Sequence, residues 1–319
     1  MVKALGAARR HTFIGANFFQ ALLPYFGLLI LILILGTLTN FTSVSPRNLR
    51  LIFQQSYVLI ICSVGVFFVM TMGSLDFSQG SIIGVASIAI AFLAQFNLIL
   101  AVIVGIVIGA VVGSINGFLF ARFKVSSFIV TICTMFIFRG VCAFLTTEKP
   151  ISAPIYMYSL DQLYIVVPVV AVILGSGWFL FSATPFGRKI KAIGAGETAA
   201  RFSGIRVANT KFFVYMLAGA LAGFAATINT IRVGSITATS GTLLETNIMI
   251  ALVLGGMPVT GGSKNKFSSV IVGALLFAVL NNGLALLQIA PNIQQLIRGV
   301  VFLAIVVATT DRNVAIVVK

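Results

Sequence analysis

Acid–base, nucleophilic or metal-binding chemistry in this 319-residue chain has to come from six carboxylates, one histidine and three cysteines. The acids are Asp76, Glu148, Asp161, Glu197, Glu245 and Asp311, most of them in loops or near the ends of apolar runs. Cys62, Cys133 and Cys142 lie in apolar stretches without CxxC or metal-ligand spacing, and His11 stands alone near the N-terminus. A membrane-embedded enzyme needs paired carboxylates, a His/Cys constellation or ligands converging at one depth, and the sequence offers none of these. The run Gly255-Gly256-Met257-Pro258-Val259-Thr260-Gly261-Gly262-Ser263-Lys264 has a phosphate-loop look. It lacks the Gly-Lys-Ser/Thr order that would set a lysine on the terminal phosphates, so the chain is not expected to bind ATP. No catalytic residue, metal or bound cofactor is predicted.

What remains is hydrogen bonding inside apolar surroundings. Gln54, Gln55, Asn116, Asn229, Asn247, Asn281 and Asn282 fall within hydrophobic runs, and Asp76 lies between two of them. A polar solute crossing a membrane needs such partners, but amides also tie helices to one another, and both readings stand for each residue. The candidate pathway or gate residues are Gln54, Asp76, Ser78, Asn229, Asn247, Asn281 and Asn282. An ionisable residue at membrane depth normally has a partner or a function. Asp76 has a local use as well: it can cap a helix beginning at Phe77, with Gln79 completing a capping-box-like pair.

The elements that position these residues must be membrane helices. Hydrophobic residues make up 59% of the chain and charged residues 8%, with a mean hydropathy of +1.13, against about 25% charged in soluble domains. Spans of about 20 apolar residues fit near 21–39, 52–72, 80–96, 98–120, 126–146, 163–182, 211–230, 244–256, 266–287 and 293–310. The reading is an all-α integral membrane fold of about ten transmembrane helices, a single transmembrane domain over 1–319. Residues 1–20, with Lys3, Arg9, Arg10 and His11 ahead of Phe13, Phe18 and Phe19, suit an interfacial helix. The net charge of +15 is spread between the apolar runs, leaving no soluble basic domain for nucleic acid. With the N-terminus cytoplasmic, only Arg47, Arg50, Arg139, Lys149, Arg232 and Arg298 of the 21 basic residues are left for the outside or the membrane. The positive-inside rule therefore places both termini inside. Gly105, Gly109, Gly113 and Gly117 recur every four residues, which predicts close helix packing.

The longest inner connection, 183–211, contains Glu197-Thr198-Ala199-Ala200-Arg201 between glycines, closed by Ser203 and Gly204. Pro185 and Gly187 are expected to end the preceding span, and the short helix is expected to lie across the cytoplasmic face, either as a docking element or as a plain basic loop. Thr184-Pro185-Phe186-Gly187-Arg188, Ala192-Ile193-Gly194 and Ala199 to Ile205 resemble the coupling loop of the ribose/galactose/xylose-type sugar ABC importer permeases. Gly73 to Ser81, Glu245 with Ala251 to Gly256 and Gly261-Gly262, and Leu280 to Leu284 with Gln294, Gln295 and Gly299 are similar to further motifs of that family, in the same order. Ser74, Leu75, Gln79 and Gly196 depart from its pattern.

The resemblance implies the type II (vitamin B12 importer-like) ABC permease fold in a bacterial cytoplasmic (inner) membrane. It assigns ATPase coupling to Glu197, Thr198, Ala199, Ala200, Arg201, Ser203, Gly204 and Ile205. It further implies partner ATPase subunits holding ATP and Mg, a second permease copy or paralogue, and an extracytoplasmic solute-binding protein. An ion-coupled secondary transporter is the alternative, disfavoured by the scarcity of carboxylates deep in the spans.

Overall fold

The computed structural model describes residues 22, 24–263 and 265–309. The interfacial helix expected over 1–20, with His11, lies outside the described residues, as do Lys264 and Asp311.

The apolar runs form helices α1 (Pro24–Leu38), α2 (Pro46–Thr71), α3 (Gln79–Leu93), α4 (Leu98–Phe123), α5 (Ser127–Leu145) and α6 (Leu163–Ser182). They continue as α7 (Pro185–Ala195), α8 (Glu197–Phe202), α9 (Val207–Val233), α10 (Leu244–Leu254), α11 (Ser268–Leu286) and α12 (Pro291–Thr309). Among the described residues, six of these helices are long and apolar enough to cross a membrane: α2, α4, α5, α6, α9 and α11. The other apolar helices, α1, α3, α10 and the Pro291–Val307 part of α12, are shorter and coincide with the remaining predicted segments. Boundaries moved where local chemistry decides them. α2 starts at Pro46 rather than 52 because the Ser45 hydroxyl accepts from the Asn48 N–H and proline suits the first helical position. The Asn97 side chain opens α4 in the same way, accepting from Leu100 N–H at 3.1 Å.

α2 is the axis of the molecule: every residue from Ser56 to Thr71 is buried, and it packs on α6, α9, α10 and α11. Edge-to-face rings fill the space near its C-terminal end, with Phe67 4.7 Å from Phe181 and 5.4 Å from Phe267 between ring centres. The most extensive helix pair is α4 on α9, and the predicted glycine row lies at its seam. A Cβ at Gly109 would stand 2.1 Å from the Gly219 carbonyl oxygen, and one at Gly113 2.2 Å from that of Tyr215. Only glycine lets the two backbones approach this closely, which in a membrane substitutes van der Waals contact for a hydrophobic drive.

One helix and one turn converge on the C-terminal end of α2. Gly194 of α7 abuts the Thr71 carbonyl, Gly261 abuts that of Met70, and Gly262 N–H reaches Thr71 O at 3.4 Å. At the opposite end, the connection after α5 and the one after α9 meet in a short antiparallel ribbon that the sequence pattern did not announce. It consists of β1 (Ile151–Ser152) and β2 (Ser235–Ile236), with Ile151 opposite Ile236.

Candidate functional site

The 183–211 connection is more ordered than the expected loop. Pro185 does not terminate α6; it occupies the first turn of α7, where its missing N–H is harmless, and α6 has already ended at Ser182. Gly196 separates α7 from the six-residue α8, which contains the predicted Glu197 to Arg201. Gly204 adopts φ +81° and closes α8, with Gly204 N–H bonded to Arg201 O and Ile205 N–H to Ala200 O. α9 begins at Val207, inside the stretch read as loop.

α8 is anchored on one side and free on the other. Ala200 is buried, and Glu197 takes Lys211 Nζ of α9 at 2.8 Å and Arg201 at 3.5 Å. The Lys211 ammonium in turn sits 4.2 Å over the Phe120 ring of α4. Thr198, Ala199, Arg201, Ser203 and Gly204 face outward, and Ile205 is half-buried. Phe202, absent from the sequence-derived set, is 89% exposed at the tip. Beside it runs a groove of about 580 Å³ between α7 and the start of α9, lined by Phe186, Lys189, Ile205, Arg206 and Phe213.

The Asp76 segment is a second constellation, just past the C-terminal end of α2. Asp76 is 1% exposed. Its Oδ1 accepts from Ser78 N–H at 2.9 Å and the Ser78 hydroxyl at 2.6 Å, and its Oδ2 accepts from Gln79 Nε2 at 2.7 Å. The capping expectation is corrected in detail. α3 starts at Gln79, not Phe77, its N-cap is Ser78, and Gln79 bonds the carboxylate directly rather than a backbone N–H. The knot is held by three other helices: Asn116 of α4 donates to Ser78 Oγ at 2.8 Å, Tyr215 of α9 to Leu75 O at 2.8 Å, and Ser127 of α5 accepts from Leu75 N–H at 3.1 Å. Ser78 and Gln79 satisfy the buried carboxyl group, and α4, α5 and α9 hold the segment that carries them.

A third constellation is a cavity of about 340 Å³ between α2, α9, α10 and α11. Its polar lining comes from Gln55, Asn229, Arg232, Thr242 and Asn247. Two of the predicted pathway residues, Asn229 and Asn247, therefore share one wall space, and Gln55 rather than Gln54 faces it. Gln54 contributes its carbonyl, which accepts from Arg232 Nη1 at 2.7 Å. Asp76 and Ser78 do not line this cavity. Asn282 is paired with Asn48 of α2 through two amide bonds of 2.7 and 3.1 Å, and the side-chain oxygen of Asn281 is buried without a protein partner.

Sequence reasoning passed over the arginines around this space. Arg298 of α12 reaches Asn247 Oδ1 at 3.4 Å. Arg139 of α5 pairs with the buried Glu245 of α10 at 2.5 Å. The available signal was three cations placed inside or at the edge of apolar runs, where a charge needs a reason.

A helical membrane body with a short helix anchored on its inner face and exposed on its outer face at one end, and a cavity with amides in its lining, is the architecture of a membrane permease. Comparison with known proteins agrees: residues 48–306 match the family described as branched-chain amino acid transport system / permease component, and the chain belongs to that family. Among its relatives is the ribose import permease protein of Bacillus subtilis (strain 168), 36% identical over 92% of this chain and 94% of the relative. The ribose import permease protein of Escherichia coli (strain K12) is 34% identical over 90% and 92%, and the D-allose transport system permease protein of the same strain 31% identical over 94% of each. No solved structure matches the chain.

Proposed function

We propose that the chain is the membrane-spanning permease subunit of an ATP-binding-cassette importer for a sugar or a similar polyhydroxylated solute. The carrying observation is α8: a short helix with an exposed outer face whose inner face is tied through Glu197 and Lys211 to α9 and, over Phe120, to α4. A partner that pushes α8 moves the two most tightly packed helices of the body. Glu197, Thr198, Ala199, Ala200, Arg201, Ser203, Gly204 and Ile205 form this coupling surface, together with Phe202. ATP and Mg are held by the partner ATPase subunits. A second permease copy or a paralogue completes the route, and an extracytoplasmic binding protein delivers the solute.

In this reading α1 to α6 and α9 to α12 are ten spans in a bacterial cytoplasmic membrane, with both termini and the α7–α8 end inside and a type II fold. The basic residues Arg188, Lys189, Lys191, Arg201, Arg206 and Lys211 around α7 and α8 support that orientation. The polar cavity is the solute's resting place on the route, with Asn229 and Asn247 as hydrogen-bonding partners; the names of the relatives, ribose and allose permeases, support a sugar.

The test is affinity purification of the complex from its native host, identification of co-purifying subunits and measurement of solute-stimulated ATP hydrolysis. Replacing Glu197 to Ile205 by a Gly-Ser spacer should release the ATPase and abolish uptake. Uptake that survives the spacer and collapses with an ionophore would instead make the protein an ion-coupled transporter.

A further inference from the structure

The proposed function makes the cavity between α2, α9, α10 and α11 a solute site, and on that reading its electrostatics bear on the class of solute it accepts. Two guanidinium groups address it. Arg232 lines the wall directly and spends one N–H on the Gln54 carbonyl, a neutral acceptor. Arg298 reaches the space through two of its lining residues, 3.4 Å from the Asn247 amide oxygen and 5.9 Å from the centre of the Phe277 ring. Among the described residues neither arginine forms an ion pair. The carboxylate nearest in sequence, Glu245, is already matched by Arg139. Asp161 acts on Arg232 from outside the lining and offsets part of its charge, but no ion pair forms between them. The remaining polar groups, Gln55, Asn229, Thr242 and Asn247, are neutral.

A cavity half walled by apolar side chains, with one guanidinium on its wall, a second behind Asn247 and Phe277 and no carboxylate in its lining, carries a positive potential, because low-dielectric walls focus the field of a charge instead of screening it. Arginines in transport pathways repel cations and protons on this principle. We infer that Arg232 and Arg298 make this cavity a charge filter: it accepts neutral polyols and polyols bearing a carboxylate, and it turns away amino sugars and other cations. The amides supply hydroxyl recognition, which is indifferent to the solute's net charge, and the arginines supply the discrimination. A second consequence is a barrier to proton and metal-ion leak through an open route.

The filter can be read without knowing the solute. In the intact complex with Cys62, Cys133 and Cys142 replaced by alanine, single reporters Gln55→Cys and Thr242→Cys are placed on two walls of the cavity. Each is reacted with neutral, anionic and cationic methanethiosulfonates, and rates are normalised to those of a free thiol. Two charges at about one Debye length from a reporter, in a medium with a dielectric constant between that of water and about half of it, predict an anion-over-cation preference of roughly three- to tenfold. Arg232→Gln and Arg298→Gln should each lower it, and the double variant should bring it near unity. Labelling by the neutral reagent with no charge preference, or with a cation preference, overturns the filter and leaves the cavity on the route. Failure of the neutral reagent to label either reporter removes the cavity from any water-open route, and the filter with it. A preference that persists in the double variant assigns the potential to other groups and also overturns the inference.

Discussion

Replacing Gly109 with alanine should weaken the body of this permease, and replacing Gly140 the same way should not. The methyl added at Gly109 would lie 2.1 Å from the Gly219 carbonyl oxygen, against the 3.4 Å of ordinary contact. Relief requires α4 and α9 to part by roughly 1 Å, a gap at which a heavy-atom pair forfeits up to half of its attraction along the whole seam. Overpacking of this kind costs about 1–3 kcal/mol, reduced by the roughly 1 kcal/mol that alanine gains over glycine in a helix. The net loss, up to about 2 kcal/mol, corresponds to a fall in apparent Tm of up to about 8 °C. Gly140 of α5 has nothing within 4 Å of the added methyl, so Gly140→Ala keeps only the propensity gain. A thiol-reactive fluorogenic dye reads both variants in a Cys133→Ala background, since Cys62 and Cys142 are buried and become reactive only on unfolding. Gly109→Ala melting at or above the parent, or Gly140→Ala melting as low as Gly109→Ala, would refute the account of the seam.

Asp76→Asn turns one acceptor oxygen into a donor facing the Ser78 or Gln79 donors. A loss of about 1–3 kcal/mol is expected, visible in the same melt. Arg139→Gln leaves Glu245 buried and unpaired, which should lower stability by about 3–5 kcal/mol; Arg139→Gln with Glu245→Gln should recover part of it, and equal losses in single and double variants would show that the pair is not coupled. Asn48→Leu and Asn282→Leu should each destabilise, by about 1 kcal/mol. Their combination should be less than additive, because the reciprocal amide pair is removed whole. Glu197→Gln and Lys211→Met should lower uptake more than ATP hydrolysis, and a double-mutant cycle should give a coupling of about 1 kcal/mol; purely additive effects would show that the pair carries no coupling.

The apolar periodicity made the helices legible, and the four-residue glycine spacing marked the α4–α9 seam, because both are local properties of one segment. The short α8 was legible for the same reason: glycines on either side of a helix-forming run. Pro185 was misread because a proline after an apolar run is equally suited to ending one helix and opening the next, and here it occupies the first turn of α7. The local half of the Asp76 knot, its bonds to Ser78 and Gln79, was legible as a cap, but the groups that hold Ser78 and Leu75 in place, Asn116, Tyr215 and Ser127, come from helices far along the chain. The pairings Arg139–Glu245 and Arg232–Gln54 are likewise tertiary, separated by 106 and 178 residues. No periodicity encodes which cation meets which carbonyl across a bundle.

The burial of α2 restricts how this molecule can change shape. A rod jacketed on all sides from Ser56 to Thr71, whose lower tip is clasped by Gly194, Gly261 and Gly262, cannot act as a piston, since sliding it would shear every neighbour at once. Opening and closing must carry the rod together with its sleeve, as a block pivoting against whatever stands across the route, so the compliant seams belong to the thinly covered outer helices.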